Sequence, residues 1–173
     1  LLNNKGTLEI KDSGKGEESS KTYGKLENTG GTIIENSGTL KLNSLVVNSN
    51  GTVVTTSGIL EITNSTMISS NGTTIINSDS GNITINSGTI TGYSSAISNK
   101  GTGKIIINDG TINKTDEYNP STITNISSGT IEVNGGTITS PYRSNTINNS
   151  SSGKIIINEG TITPYGWFSG IIN

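Results

Sequence analysis

The element Gly-Thr-Ile recurs through the second half of the chain, with its isoleucine at positions 90, 112, 138 and 162, at intervals of 22, 26 and 24 residues. A segment of alternating apolar residues precedes each copy: Ile83 and Ile85, Ile105 and Ile107, Ile131 and Val133, Ile155 and Ile157. A third segment follows, as Ala96-Ile97-Ser98-Asn99, Thr122-Ile123-Thr124-Asn125, Thr146-Ile147-Asn148-Asn149 and Gly170-Ile171-Ile172-Asn173. Period-two alternation marks strands buried on one face. Each repeat therefore reads as first strand, turn, second strand, loop, third strand and turn. The earlier half follows the same order less strictly, with Leu40 and Leu42, then Leu60 and Ile62, as first strands. Val47 and Met67 fill the second-strand slot, and Ile33, Val53 and Ile75 the third. Leu8 and Ile10 open the series, but the polar, charged, Gly-rich stretch from Asp12 to Lys25 breaks the register and reads as a surface loop or an irregular first coil. The whole of 1–173 reads as one segment of a longer protein, with residues 1–31 as that first coil and 32–173 as regular coils.

A single repeat with four or five apolar side chains cannot offset an ordering entropy of roughly 1 to 2 kcal/mol per residue. The repeats must stack. Parallel strands about 4.8 Å apart satisfy one another's backbone groups and align the isoleucines into a continuous interior. Coils of 20–26 residues with three unequal strands predict an all-β chain, a right-handed parallel β-helix of about seven coils. A left-handed helix of hexapeptides would need multiples of six. Loop length varies mainly between the second and third strands, at residues 92–95, 113–121, 140–145 and 164–169, so one edge of the rod is expected to be the variable edge.

Only 28% of the residues are hydrophobic, yet the abundance of Ile and Thr and a net charge of -2 argue for order rather than disorder. The 11 basic residues are scattered among 13 acidic ones with no basic run, which speaks against nucleic acid as a partner. No apolar run approaches the roughly 18 residues of a membrane span, so no membrane insertion is expected. The absence of Cys excludes disulfides and thiolate metal sites, and the absence of His excludes a Ser-His triad. No cofactor is implied.

The segments GNITINSGTITGYSSAISN, GKIIINDGTIN, GTIEVNGGTIT and GKIIINEGTIT resemble the β-helical repeat regions of large secreted or wall-attached surface proteins of Gram-positive bacteria, of pectate-lyase-like architecture. The resemblance covers the chain from about residue 39 onward. It implies an extracellular or cell-surface location, flanking domains in a longer parent, and an adhesin-like, spacer or glycan-active role.

Two asparagine series fall in register, Asn86, Asn108, Asn134 and Asn158, and Asn77, Asn99, Asn125, Asn149 and Asn173. Stacked side-chain amides that hydrogen-bond from coil to coil explain them better than ligand contacts do. Gly88, Gly110, Gly136 and Gly160 read as turn glycines. With the second-strand isoleucines inside, Thr89 and Thr91, Thr111 and Asn113, Thr137 and Thr139, and Thr161 and Thr163 point out. These columns partly resemble the Thr-x-Thr ladders of β-helical ice-binding proteins.

The variable edge carries the candidate binding residues: Tyr93, Tyr118, Tyr142, Arg143, Tyr165 and Trp167, with Phe168 beside them. Aromatic rings with a polar tip suit sugar stacking and contact with a host or cell-surface protein alike, although each Tyr could instead close its loop over the core. Catalytic residues are not expected. Asp109 and Glu159 share a turn two coils apart, about 10 Å from each other, just beyond the roughly 6.5 to 9.5 Å of an inverting glycosidase. Asp116 and Glu117, in one loop with Lys114, are too few for a calcium cage, so no metal site is expected.

Overall fold

The computed structural model describes residues 1–13, 24–118 and 120–173. Every described strand pairs in parallel with its counterparts one coil away, in three sheets, and the chain is a right-handed parallel β-helix with three strands per coil. The first-strand sheet has seven strands, from Thr7–Lys11 to Lys154–Ile157. The second-strand sheet also has seven, from Gly24–Asn28 to Thr161–Pro164, and the third-strand sheet has eight, from Leu2–Asn4 to Ile171–Ile172.

Register turns single residues into columns. Leu40, Leu60, Ile83, Ile105, Ile131 and Ile155 pair in succession along the first sheet. Val47, Met67, Ile90, Ile112, Ile138 and Ile162 do so along the second. Within both columns the residues from Leu40 to Ile131 and from Val47 to Ile138 are fully buried. Each buried aliphatic side chain contributes roughly 1.5 to 3 kcal/mol. On the outer face of the first sheet, exposed ion pairs link adjacent coils, Lys41 to Glu61 at 2.8 Å and Lys104 to Glu132 at 2.6 Å, and each adds little in solvent.

Two expectations need correction. The third-strand column runs through Ile34, Val54 and Ile75, so the expected Ile33 and Val53 are one residue out of phase. Two consecutive apolar residues hide the phase because both are buried: Ile33 and Val53 occupy the corner that Thr74, Ala96, Thr122 and Thr146 fill in later coils. The polar stretch is also shorter than expected, since Gly24 and Lys25 already belong to a strand that places Leu26 over Val47. Residues 14–23, its middle, lie outside the described residues.

The corner between the first and second strands needs one left-handed residue. Ser44 (φ 56°) and Asn64 (φ 50°) supply it in early coils, and Gly88, Gly110, Gly136 and Gly160 in later ones, one position further along. At Gly110 the choice is forced twice, because φ is 111° and an added Cβ would lie 2.6 Å from the carbonyl oxygen of Gly88.

Both asparagine series form coil-to-coil ladders. In the exposed one Asn108 donates to Asn86, Asn134 to Asn108 and Asn158 to Asn134, at 3.0, 3.0 and 2.7 Å. In the buried one Asn77 donates to Asn99, Asn99 to Asn125, Asn125 to Asn149 and Asn149 to Asn173, at 2.8, 2.9, 2.7 and 2.5 Å. The same Nδ2 groups of Asn77, Asn99, Asn125 and Asn149 also donate to the carbonyls of Gly81, Gly103, Gly129 and Gly153. The buried ladder begins at Asn4, which donates to Asn36, and breaks at Thr56, which accepts from Asn36. Thr56 offers no donor to the next coil, and Asn77 Oδ1 is left buried without a partner. Thr56→Asn should close the gap, gaining about 1 kcal/mol and raising the thermal midpoint by about 2 to 4 °C. A midpoint that stays put or falls in a differential scanning calorimetry trace would refute this account of the orphaned oxygen.

Candidate functional site

The loops between second and third strands are joined by scattered coil-to-coil hydrogen bonds, such as Ser94 N to the Gly72 carbonyl and Tyr165 N to the Ser140 carbonyl, and their side chains decide what the edge presents. The chain contains five Tyr, one Trp and one Phe. Six of these seven lie in the loops, at Tyr93, Tyr118, Tyr142, Tyr165, Trp167 and Phe168, and all six are exposed, from 41% at Tyr93 and Phe168 to 93% at Trp167. Gly92, Ser95 and Ala96, and Ser140, Ser144 and Thr146, are buried in the loops that carry Tyr93 and Tyr142.

Neighbouring loops bring some of the candidates together. Tyr142 and Tyr165 meet edge to face, with ring centroids 6.0 Å apart and planes at 61°. The Arg143 guanidinium lies 5.8 Å from the centroid of the Tyr118 ring, a cation–π pair worth about 0.5 to 1 kcal/mol at an exposed site. Tyr93 joins the row through its backbone, its carbonyl accepting from Asp116 N at 3.0 Å. For Trp167 no ring partner is found among the described residues.

Beneath the row sits a lysine that the sequence reading placed in a polar loop. Strand parity puts Lys114 inside, because Ile112 two residues earlier is inside. Its ammonium donates to the carbonyls of Tyr118 and of Pro120, the latter at 2.5 Å, and to Ser144 Oγ at 3.3 Å. All three ammonium protons are thus spent, and the loop after the fifth second-strand segment is pinned to the loop that carries Tyr142 and Arg143. Burial pushes the Lys114 pKa below the ordinary lysine value, while Asp116 nearby acts in the opposite direction. At the same position of other coils the residues are Asn28, Ser49, Ser69, Gly92, Ser140 and Pro164. There serine suffices: Ser49 and Ser69 donate to the Gly31 and Gly51 carbonyls at 3.1 and 2.7 Å, and Ser140 to the Ser144 carbonyl at 2.8 Å.

Beside Tyr165 a groove of about 320 Å³ is lined by Asn113, Lys114, Thr139, Ser140, Pro141, Thr163 and Tyr165. Asn113, Thr139 and Thr163 reach it from the outer face of the second sheet, and sequence parity alone places them there. The same face carries Thr66, Thr89, Thr111, Thr137 and Thr161 paired in an unbroken column. Asp109 and Glu159 stand exposed on open turns two coils apart. Among the described residues no cluster of three or more acidic side chains could hold a metal ion, and Asp116 and Glu117 form none with Lys114, whose ammonium is turned inward.

No protein-family model, curated protein or solved structure matches this chain. What the molecule establishes by itself is a parallel β-solenoid with one aromatic edge.

The pinning by Lys114 is open to a direct check. Lys114→Met keeps the apolar stem and removes all three donors. Amide exchange at residues 115–118 and 142–145 should accelerate about tenfold or more, equivalent to about 1.4 kcal/mol, while the strands around Ile105 and Ile131 keep their protection. Unchanged exchange in both loops would show that the ammonium holds nothing there.

Proposed function

We propose that this chain is a non-catalytic, extracellular surface-protein segment, adhesin-like, that binds glycan or a host or cell-surface protein through the edge formed by Tyr93, Tyr118, Tyr142, Arg143, Tyr165 and Trp167. One observation carries the reading: six of the seven aromatics of the chain are exposed, in successive loops along a single edge. A soluble protein rarely exposes contiguous apolar surface without a partner for it. Tyr, Trp and Arg are the residues that dominate binding energy where partners meet.

The test is a glycan-array and cell-binding screen of the chain beside a variant with Tyr93, Tyr118, Tyr142, Tyr165 and Trp167 all replaced by Ala. Binding by the parent should vanish in the variant while the far-ultraviolet circular dichroism of the rod is kept. A parent that binds nothing would leave a rigid spacer as the better description. Equal binding by both chains would move the contact off this edge.

A second reading rests on the column Thr66, Thr89, Thr111, Thr137 and Thr161, whose hydroxyls repeat at about 4.8 Å on a flat sheet. A regular array of that kind could order water and bind ice. It predicts thermal hysteresis that disappears in Thr137→Val with Thr161→Tyr, and a parent without hysteresis disposes of it.

A further inference from the structure

Within the aromatic edge, and resting on the reading of that edge as a glycan-binding surface, we infer that the groove beside Tyr165 is the primary subsite and that it takes a neutral pyranose ring. The size of the groove, about 320 Å³, lies at the lower end of the range of small-ligand sites. Its walls match the two chemistries of a sugar ring. Tyr165 is largely exposed and meets Tyr142 in an edge-to-face contact, which leaves ring surface for the apolar C–H face of a pyranose. Pro141 extends the apolar wall.

The polar wall has hydrogen-bonding capacity to spare. The hydroxyls of Thr139 and Thr163 make no hydrogen bond to the described residues, and neither does the side-chain amide of Asn113, whose Oδ1 is buried without a partner. These three groups stand in one outward column, so the sheet holds them at fixed spacing before any ligand arrives, and little ordering cost remains for binding.

Charge sets the class of sugar. No carboxylate lines the groove, and its single cation, Lys114, has its three protons committed to Tyr118, Pro120 and Ser144. An acidic sugar would find no free cation in the groove, whereas sugar hydroxyls find both donors and acceptors. Lys114 here is a positioning residue for the groove wall and not a ligand contact.

The experiment is a nitrogen-15 NMR titration of the full chain with cellotetraose and mannotetraose as neutral probes and tetragalacturonic acid as the acidic one. A neutral probe should shift the amides of Asn113, Thr139, Thr163 and Tyr165. Tyr165→Ala, Thr163→Val and Thr139→Val should each weaken its affinity about tenfold, while Thr84→Val on the first-strand sheet stays within twofold. Neutral binding that survives those three variants but is lost in Tyr93→Ala or Tyr118→Ala overturns the subsite and leaves the edge standing. Tighter binding of tetragalacturonic acid than of either neutral probe overturns the ligand class. Failure of all three probes overturns this inference, and a glycan array on which the chain binds nothing removes the glycan reading with it.

Discussion

Parallel backbone hydrogen bonding between one coil and the next is the constraint on which the rest of this molecule depends. It fixes the rung spacing at about 4.8 Å and sets equivalent residues directly over one another. A choice made once in the repeat is therefore made along the whole rod. An inward Ile becomes a core column, a turn Asn becomes an amide ladder, and an outward Thr becomes a row of hydroxyls. Among the described residues, the loops between second and third strands depart furthest from this repetition. Diversity of length and of side chain collects there for the same reason that the aromatics do.

The parts of the molecule that repeat were legible in the amino-acid sequence. Ile105 and Ile107, Ile112 and Ile123 announce three strands by alternation and by their distance from Gly110, and the two asparagine series announce their ladders by interval alone. Where alternation is ambiguous the sequence does not choose a phase: Ile33-Ile34 and Val53-Val54 each contain two apolar neighbours, and only pairing with Ile75 chooses between them. The site was less legible because its contacts join loops that share no period. Nothing in the spacing of Tyr142 and Tyr165, or of Arg143 and Tyr118, states that these rings and charges meet. Lys114 was legible by parity with Ile112, but its charge argued for solvent, and the charge argument was the weaker one here.

Lys114 also shows how this fold accommodates loops of different length. Where the loop is short, a serine hydroxyl at the corner satisfies one carbonyl of a neighbouring segment. The longest loop gathers more unsatisfied oxygens around the same corner, and a side chain with three donors on a flexible stem meets them. A buried ammonium is costly unless fully hydrogen-bonded, and the lowered pKa of Lys114 records that cost. The result is a wall that holds its shape next to a groove, with its charge already compensated by carbonyl dipoles.

The buried asparagine ladder has a direction. In each coil from Asn77 to Asn149 the amide nitrogen also bonds a backbone carbonyl four residues on, and a carbonyl can only accept. That fixes which end of every amide faces the following coil: oxygen toward the coil before, nitrogen toward the coil after. A coil is thus a unit with an acceptor on one side and a donor on the other, like a coupling with a plug and a socket. Whole coils can be added or removed between Asn77 and Asn149 with every amide still matched, whereas a fraction of a coil cannot. Length, in a molecule of this kind, is a quantity that changes in whole steps and leaves the interior of each step intact.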